Sequence, residues 1–466
     1  MAMANRALLF SLVCMFLAVF LSTSPAQFAD GRRCETPEGM PFTEAARIKL
    51  ECSSTRPLKD GANEREFVIK LPSLQQKPER KYPWQEINPL KDPSAFLKSL
   101  LAYGIKDNQK IDWRIEDDQS NGWCHAPWFQ DARERLRGMT SERRSRAREL
   151  HALQAEWRVN WAVGIYNAAA CRRLAEVWQD PAFPKTKDFA FPDGAYAIKL
   201  LFTQATPSEV PYLAGSLEWD AAIGDAGEVA TMRLLQVDVA VKDSRIPGGS
   251  GWFFGTFIYD AGIPGNTPYE RLAPVGLTWG GDPALTAFQY EQMGKIATES
   301  WVNPQVAEMF FHLPRHNLGL FGRLNGPVDN PRSSCIACHG QALDWGRAIP
   351  KGSLAARSAL MMLPAIPQDA SNDGQIGRYF MNLGSSSSVQ GTQPLDYSLQ
   401  LAKGIENFRA WVKADYESMV GSTTDVPMFA FPTDPFEVQP ITRSEPSIRA
   451  AQPSVRTEPA EEVFKR

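Results

Sequence analysis

Two cysteines separated by two residues and followed at once by a histidine constrain this chain more than any other feature. The stretch is Cys335-Ile336-Ala337-Cys338-His339. On a helical turn, positions i, i+3 and i+4 share one face, so both thiols and the imidazole point the same way. This is the attachment pattern of c-type haem, in which the thiols bond to the haem vinyl groups and the histidine ligates the iron. Chance predicts only ~0.001 occurrences of the pattern in a chain with 7 Cys and 5 His.

Two other uses of paired cysteines are less well supported. A zinc site would need a second Cys-x-x-Cys pair, which the sequence lacks. A thioredoxin-like redox pair would follow a strand, whereas residues 319–327 and 330–331 predict a loop before the motif. The sequence therefore predicts one covalently attached haem c, bound by Cys335, Cys338 and His339, with His339 as the proximal iron ligand.

The sequence leaves the second axial ligand open. Met381 lies in a Gly- and Ser-rich loop after the motif and is the leading candidate, because methionine ligation would close the site and leave an electron carrier. Met361 and Met362 lie nearer to the motif, and His312 or His316 would give a bis-histidine iron. An iron without a sixth protein ligand would instead bind peroxide, nitric oxide or a nitrogen substrate.

The N-terminus predicts export. Arg6 precedes an apolar run over residues 7–21, and small residues follow it up to Ala26. This is the pattern of a secretory signal peptide over residues 1–26, and an uncleaved membrane anchor is the alternative. Both alternatives place the chain in the periplasm, where c-type haem is attached in bacteria. The expected location therefore agrees with the motif, and membrane contact is expected only if the segment is retained.

Four further cysteines lie outside the motif and the apolar run, namely Cys34, Cys52, Cys124 and Cys171. In an oxidising compartment, four thiols can pair in three ways. Proximity in the sequence favours the disulfides Cys34–Cys52 and Cys124–Cys171. We expect these bonds to stabilise the fold and not to take part in catalysis.

Charge and composition limit the partners. The net charge of -3 and the pI near 6.1 give no indication of nucleic acid binding. The expected partner is a redox protein. A group of arginines forms either a solvated basic face or a docking site for an acidic partner: Arg133, Arg135, Arg137, Arg143, Arg144, Arg146 and Arg148. Arg323 and Arg332, near the motif, are either propionate partners or solvated loop residues.

Hydrophobic periodicity predicts the secondary structure. Helical spacing marks residues 92–103, 140–178, 282–312, 355–362 and 396–416. In the predicted helix over 140–178, four large apolar residues recur at helical spacing: Trp157, Trp161, Val163 and Tyr166. Alternation with a period of two marks strands over 196–202, 232–241, 252–259 and 274–279, each bounded by turn residues. Short strands with loops between them predict an antiparallel sheet or a sandwich.

The end of the chain combines the motif Cys335–His339, a later loop with Met381 and a closing amphipathic helix. This combination resembles a class I cytochrome c domain. The resemblance implies that His339 and Met381 are the two axial ligands. The chain departs from that family before the motif, where a loop stands in place of a packed helix.

Short motifs follow one another through the middle of the chain: Phe191-Pro192-Asp193-Gly194 before a strand with Lys199, Val241-Lys242-Asp243-Ser244, Gly251-Trp252-Phe253, and Asp344-Trp345 after the haem motif. Over roughly residues 191–346 the chain resembles the cytochrome P-460 family. The resemblance implies a c-type haem on a mainly β scaffold, a lysine cross-linked to the porphyrin, an open iron site, and hydroxylamine or nitric oxide chemistry. The whole chain is also similar to large single-haem bacterial cytochrome c family proteins, which implies electron transfer.

These observations together predict an α+β protein. An antiparallel β-sheet or sandwich domain is expected next to a mainly α, cytochrome c-like haem domain, with a helical N-terminal region. The expected segments are a signal peptide (1–26), a proline-rich arm and helical region (27–185), a β domain (186–282), a haem c domain (283–423) and a disordered tail (424–466).

The leading functional hypothesis is a periplasmic c-type cytochrome that transfers electrons. The alternative is a haem oxidoreductase with an open iron site and peroxide, hydroxylamine or nitric oxide chemistry, and a gas-binding module is a third class. The sequence contains no nucleophile elbow, phosphate loop or metal-binding helix motif. The substrate, the redox partner and the reduction potential are not encoded in any recognisable pattern.

Overall fold

A computed structural model describes residues 40–51, 67–118, 122–128, 133–223, 228–245, 249–311, 318–346, 377, 379–384, 386 and 391–412. Several predictions from the sequence concern residues outside these ranges: the signal peptide, the pair Cys34–Cys52, the candidate ligands His312, His316, Met361 and Met362, the helix over 355–362, and the tail beyond residue 424.

The centre of the protein is a nine-stranded sheet in which all neighbouring strands are antiparallel. The strands are β1 (Cys124–His125), β2 (Thr140–Ser141), β3 (Asn160–Tyr166), β4 (Tyr196–Thr203), β5 (Glu218–Ala222), β6 (Val229–Lys242), β7 (Trp252–Tyr259), β8 (Leu272–Thr278) and β9 (Ser300–Val302). Their spatial order is β1-β3-β4-β6-β7-β8-β9, while β2 also pairs with β3 and β5 with β6. A separate ribbon joins β10 (Leu343–Asp344) to β11 (Gln393–Pro394).

Seven described α-helices surround the sheet. They are α1 (Phe42–Glu51), α2 (Pro93–Ile105), α3 (Ala168–Val177), α4 (Ala287–Glu291), α5 (Pro304–Phe311), α6 (Cys335–His339) and α7 (Leu399–Trp411). The predicted helices over 92–103 and 396–416 correspond to α2 and α7. Each begins where a side chain caps the first turn, Asp92 for α2 and Ser398 for α7.

The four strands predicted from alternation are confirmed as β4, β6, β7 and β8, with bounds shifted by a few residues at most. The predicted antiparallel pairing is confirmed as well. The sandwich alternative is wrong for the described residues, because the strands form one continuous sheet. This sheet takes β1–β3 from the region assigned to the N-terminal arm and β9 from the region assigned to the haem domain.

The long helix predicted over 140–178 is wrong. That stretch contains β2, β3 and only then α3, which starts after the N-cap Asn167. Trp161 and Tyr166 are aromatic and lie in a run with Val163, a composition that favours strands as much as helices. Pairing decides the outcome, because β3 aligns residue by residue with β4 along its whole length. Trp157 lies before the start of β3, and 53% of its surface is exposed.

The helix predicted over 282–312 is also only partly correct. The described part contains α4, the short strand β9 and α5. Thr286 caps α4, because its hydroxyl accepts a bond from the Gln289 amide. Ser300–Val302 extends the sheet by pairing with β8, so sheet pairing again overrides the helical spacing.

The N-terminal arm covers one face of the sheet. On α2, Phe96 packs against Phe253 with ring centroids 5.2 Å apart. Leu97 lies so close to Gly255 that a β-carbon there would come within 2.1 Å of it. The Tyr196 hydroxyl on β4 donates to the Leu100 carbonyl at 2.9 Å. The other face is left for the haem motif and α7.

The predicted disulfide Cys124–Cys171 is present and joins β1 to α3, with the two Cα atoms 5.9 Å apart. His125, next to it, is a structural residue. Its Nδ1 accepts a bond from the Lys70 amide at 3.1 Å, and its ring packs edge-on against Phe67.

Within the described ranges, no helix combines the length and the apolar character needed to cross a membrane.

A buried ion pair connects α7 to the ribbon. Arg409 on α7 donates through both terminal nitrogens to Asp344 on β10, which also accepts a bond from the Thr186 hydroxyl. Burial raises the pKa of Asp344, but the bonds from Arg409 lower it by more, so this pKa lies below its usual value. The pair therefore stabilises the fold at neutral pH.

We predict that Arg409→Met lowers the free energy of unfolding by about 3–5 kcal/mol at pH 7, because it leaves the Asp344 charge buried without its partner. The difference from wild type should shrink as the pH falls below about 4, where the unfolded chain binds the proton that the native pair resists. Urea titrations at both pH values measure this. The control Lys110→Met removes an exposed pair with Asp107, whose two side chains are 65% and 62% exposed, and should cost about 1 kcal/mol or less. Equal losses in the two variants would contradict the account.

Candidate functional site

The predicted haem motif forms a single helical turn. Ser334 caps α6, since its hydroxyl accepts a bond from the Ala337 amide at 3.1 Å. The predicted loop before the motif is confirmed, with only one short 3-10 turn at Leu320–Gly322. The Cys335 amide donates to the Leu324 carbonyl at 2.9 Å, which fixes the start of α6 against this loop.

His339 is oriented by the main chain. Its Nδ1 lies 2.8 Å from the carbonyl oxygen of Tyr397. Since a carbonyl only accepts, Nδ1 carries the proton, and the lone pair is left on Nε2. Burial lowers the pKa of His339 to about 4, so the ring is neutral at physiological pH. A neutral imidazole with one nitrogen bonded to a carbonyl is the usual state of a metal-ligating histidine.

Both thiols of the motif are free in the described structure. Cys338 Sγ lies 2.8 Å from the Ser333 hydroxyl, which in turn lies 3.0 Å from the Tyr379 hydroxyl. Burial raises the pKa of Cys338 to about 12 and raises that of Cys335 as well. A catalytic or redox-active thiol has a lowered pKa, so the environment argues against a thioredoxin-like role.

The donor set therefore fits a covalently held haem better than the alternatives. Two protonated thiols and a neutral imidazole stand on one short helix, which is what attachment and proximal ligation need. No cluster of three or more His, Cys, Asp or Glu side chains suited to a metal ion occurs in the described part of the chain. A tetrahedral zinc site would need such a cluster.

One row of cross-strand neighbours on the sheet breaks the apolar pattern. Gly164, Lys199, Asp238, Thr256 and Gly276 stand opposite one another on β3, β4, β6, β7 and β8. Residues in register on neighbouring strands point to the same face. This face is the one opposite α2, and it carries glycines and polar groups where the other face is filled with large apolar side chains.

The haem motif lies over this face. Phe254, two residues before Thr256 on β7, packs against His339 with ring centroids 4.4 Å apart. Gln236, two residues before Asp238 on β6, accepts a bond from the Val328 amide in the loop that leads to the motif. The polar row therefore runs beneath α6 and its preceding loop.

Three carboxylates gather around Lys199 on this row. The Lys199 ammonium lies 3.1 Å from the Asp238 carboxylate, and Glu142 and Asp329 stand close enough to interact with this pair. Burial lowers the pKa of Lys199, but the three carboxylates raise it by more, so this pKa lies above its usual value. Burial raises the pKa of both Glu142 and Asp238.

The Lys199–Asp238 pair lies deep in the protein and yet is partly exposed. The two side chains keep 27% and 24% of their surface accessible. Both side chains therefore remain in contact with solvent. Cys335 interacts with two of the same carboxylates, since its pKa is raised by burial and further by the charges of Asp329 and Asp238.

The segment 379–383, which contains Met381, lies against the motif. It is fixed at four points. The Tyr379 hydroxyl bonds to Ser333, and the Phe380 ring packs against the Arg323 guanidinium at 4.2 Å. The last two contacts are from Asn382 to the Glu299 carboxylate and from the Leu383 amide to the Tyr397 hydroxyl at 3.0 Å. The structure thus brings Met381 into the surroundings of α6, and its role as distal ligand remains a prediction.

The arginines serve the fold more than the sequence suggested. Arg323 is fully buried and donates to the carbonyls of Gly281, Asp282 and Leu285, so its interpretation as a solvated loop residue is wrong, and pairing with a propionate stays a prediction. Arg332 lies exposed beside the motif. Arg133, assigned to a solvated basic face, is also buried and bonds to two carbonyls.

Several residues around His339 and Cys335 could not be identified from the sequence. Tyr397 supplies a main-chain carbonyl, which no side-chain pattern reveals. Asp238 and Asp329 were missed because single carboxylates in a strand and a loop carry no signature. The register of the strands is the one usable signal, because Asp238 on β6 stands directly opposite Lys199 on β4.

No protein-family model, no curated protein and no solved structure matches this chain.

We predict that Tyr397→Phe loosens the segment that carries Met381. The variant removes the acceptor of the Leu383 amide, a loss of about 1 kcal/mol or roughly a fivefold faster local opening. Hydrogen exchange at Leu383 measures this opening. The control Tyr259→Phe removes a similar bond to the Ala214 carbonyl and should leave the Leu383 exchange rate unchanged. An unchanged rate in Tyr397→Phe would show that the bond does not hold the segment.

Proposed function

We propose that the protein is an exported c-type cytochrome that carries one haem, covalently bound at Cys335 and Cys338, and transfers electrons. The observation that carries the proposal is the bond between His339 Nδ1 and the Tyr397 carbonyl at 2.8 Å. It leaves Nε2 as the donor atom on the face of α6 that also presents the two thiols. When bound, haem iron supplies a one-electron couple between its ferric and ferrous states.

The surrounding residues would hold and shield this group. Phe254 packs on the His339 ring and restricts its rotation. Ile336 and Ala337 are buried and anchor α6 in the core, which keeps water away from the proximal side. The disulfide Cys124–Cys171 and the signal pattern over 1–26 agree with a periplasmic location, where the partner would be another redox protein.

Met381 is the proposed distal ligand of this carrier. Its support is the position of segment 379–383 beside α6, together with the similarity of the motif, loop and closing helix to class I cytochrome c. A thioether ligand would close the iron to small molecules and raise the reduction potential.

The test is the visible spectrum of the mature protein with and without carbon monoxide. For the wild type we predict a methionine–iron charge-transfer band and no binding of carbon monoxide by the ferrous form. Met381→Ala should lose the band and bind carbon monoxide. Met293→Ala is the matched control, because Met293 is 55% exposed and should leave both spectra unchanged. Carbon monoxide binding by the wild type would exclude the closed carrier.

The second candidate is a haem oxidoreductase, and one specific observation favours it. An electron carrier has no need of four ionisable groups beside its cofactor, and burying them costs free energy. The group formed by Glu142, Lys199, Asp238 and Asp329 would suit proton transfer to or from a small substrate bound beside it. The resemblance to the cytochrome P-460 family, whose motifs include the strand with Lys199, also implies a lysine cross-linked to the porphyrin and hydroxylamine or nitric oxide chemistry.

If this candidate is correct, Lys199→Met should abolish turnover of hydroxylamine or peroxide while the haem stays attached. Removing the ammonium leaves Asp238 without its charged partner and removes a group that could donate a proton to the substrate. Steady-state assays measure kcat, and carbon monoxide binding measures access to the iron. The control Lys403→Met removes a lysine paired with Glu406 on the surface of α7 and should not change kcat. Wild-type protein that is inert toward both substrates and toward carbon monoxide would exclude the enzyme.

A further inference from the structure

Two successive residues with left-handed backbone stand next to the proximal histidine. Asp396 has φ of 45° and Tyr397 has φ of 65°. They form the centre of the turn 395–398, which is closed by a bond from the Ser398 amide to the Leu395 carbonyl at 2.9 Å. Positive φ is unfavourable for residues with a β-carbon, and for an aromatic residue such as Tyr397 more than for aspartate. Such a conformation persists only where the surroundings impose it.

The Asp396 carboxylate provides that constraint. It is buried, and one oxygen accepts bonds from the Lys242 ammonium at 2.7 Å and from the Trp252 indole at 3.0 Å. The other oxygen accepts a bond from the Phe191 amide at 2.7 Å. Lys242 and Trp252 face each other at the paired ends of β6 and β7, so the sheet itself holds the turn.

The held turn presents the Tyr397 carbonyl to His339 Nδ1. Resting on the proposed function, we propose that Asp396 is a positioning residue that sets the donor strength of His339 and hence the reduction potential of the haem. A firm bond from Nδ1 to a carbonyl makes the imidazole a stronger donor and favours ferric iron. A loosened turn weakens this bond and favours ferrous iron, which raises the potential.

A second Asp–aromatic pair in the same chain serves as an internal comparison. Asp112 and Trp113 also have positive φ, 48° and 61°. The Asp112 carboxylate likewise accepts bonds from a cation and an indole, Arg137 at 2.5 Å and Trp219 at 3.3 Å. Its partners belong to the loop before β2 and to β5, away from α6. The two pairs share their left-handed backbone and the kinds of donor that bind the carboxylate, although the Asp112 side chain is 52% exposed. Only the pair Asp396–Tyr397 presents a carbonyl to His339.

The experiment compares Asp396→Asn with Asp112→Asn in the mature protein. Asparagine tolerates left-handed backbone, so both turns should keep their φ values, while the loss of the carboxylate charge weakens the bonds that hold them. The lost charge is buried at Asp396 and 52% exposed at Asp112. Haem staining on a denaturing gel first establishes attachment, and spectroelectrochemistry then measures the potential. Asp396→Asn should shift the ferric-to-ferrous equilibrium by about tenfold toward ferrous iron, or ~59 mV for a one-electron couple. Asp112→Asn should leave the potential unchanged.

Trp252→Phe keeps the proposal testable if Asp396→Asn fails to fold or to mature. It removes one donor to the carboxylate and keeps the ring in the core, so the shift should be smaller and in the same direction. An unstained wild-type protein would overturn the proposed function itself. A stained Asp396→Asn protein with an unshifted potential, or an equal shift in Asp112→Asn, would overturn only the role of Asp396. Where Asp396→Asn cannot be purified, a Trp252→Phe protein with the wild-type reduction potential would also overturn the role of Asp396.

Discussion

The bond between His339 Nδ1 and the Tyr397 carbonyl is the interaction on which the rest of this site depends. It joins two segments that are far apart in the sequence, the helical turn α6 and the turn that leads into α7. The same tyrosine accepts a bond from the Leu383 amide through its hydroxyl, so one residue links His339 to the segment that carries Met381. The sheet supports this link from below through Lys242 and Trp252.

The two faces of the sheet carry different kinds of side chain. The face under α2 is filled with large apolar side chains and supplies most of the hydrophobic stabilisation. The opposite face carries the row with Lys199 and Asp238, whose burial is unfavourable unless the charges are paired. Buried ionisable groups often occur at functional sites, so Lys199 and Asp238 are the basis of the proposed catalytic alternative to electron transfer.

Sequence patterns predicted the parts of this protein that are governed by local rules. Strands β4, β6, β7 and β8 could be predicted because alternation and turn residues act within a few positions. The motif Cys335–His339 could be predicted because its spacing directly fixes which side chains share a helical face. Strand β3 was mistaken for a helix because its aromatic residues fit both periods, and only pairing with β4 decides between them.

The supporting residues of the site could not be predicted, and the reason is physical. A main-chain carbonyl such as that of Tyr397 has no sequence signature, and Asp396 resembles any turn aspartate until its partners are known. The burial of Arg323 could not be predicted either, because its three carbonyl acceptors lie about forty residues away in the sequence. Long-range packing determines each of these contacts.

The most direct test of the central claim is peptide mass spectrometry of the mature protein after proteolysis. The account predicts one haem bound through two thioether bonds on the peptide that contains Cys335 and Cys338, with Cys124 and Cys171 recovered as a disulfide. Recovery of Cys335 and Cys338 as free thiols, or as a disulfide with each other, from protein matured in a haem-attaching periplasm would contradict it.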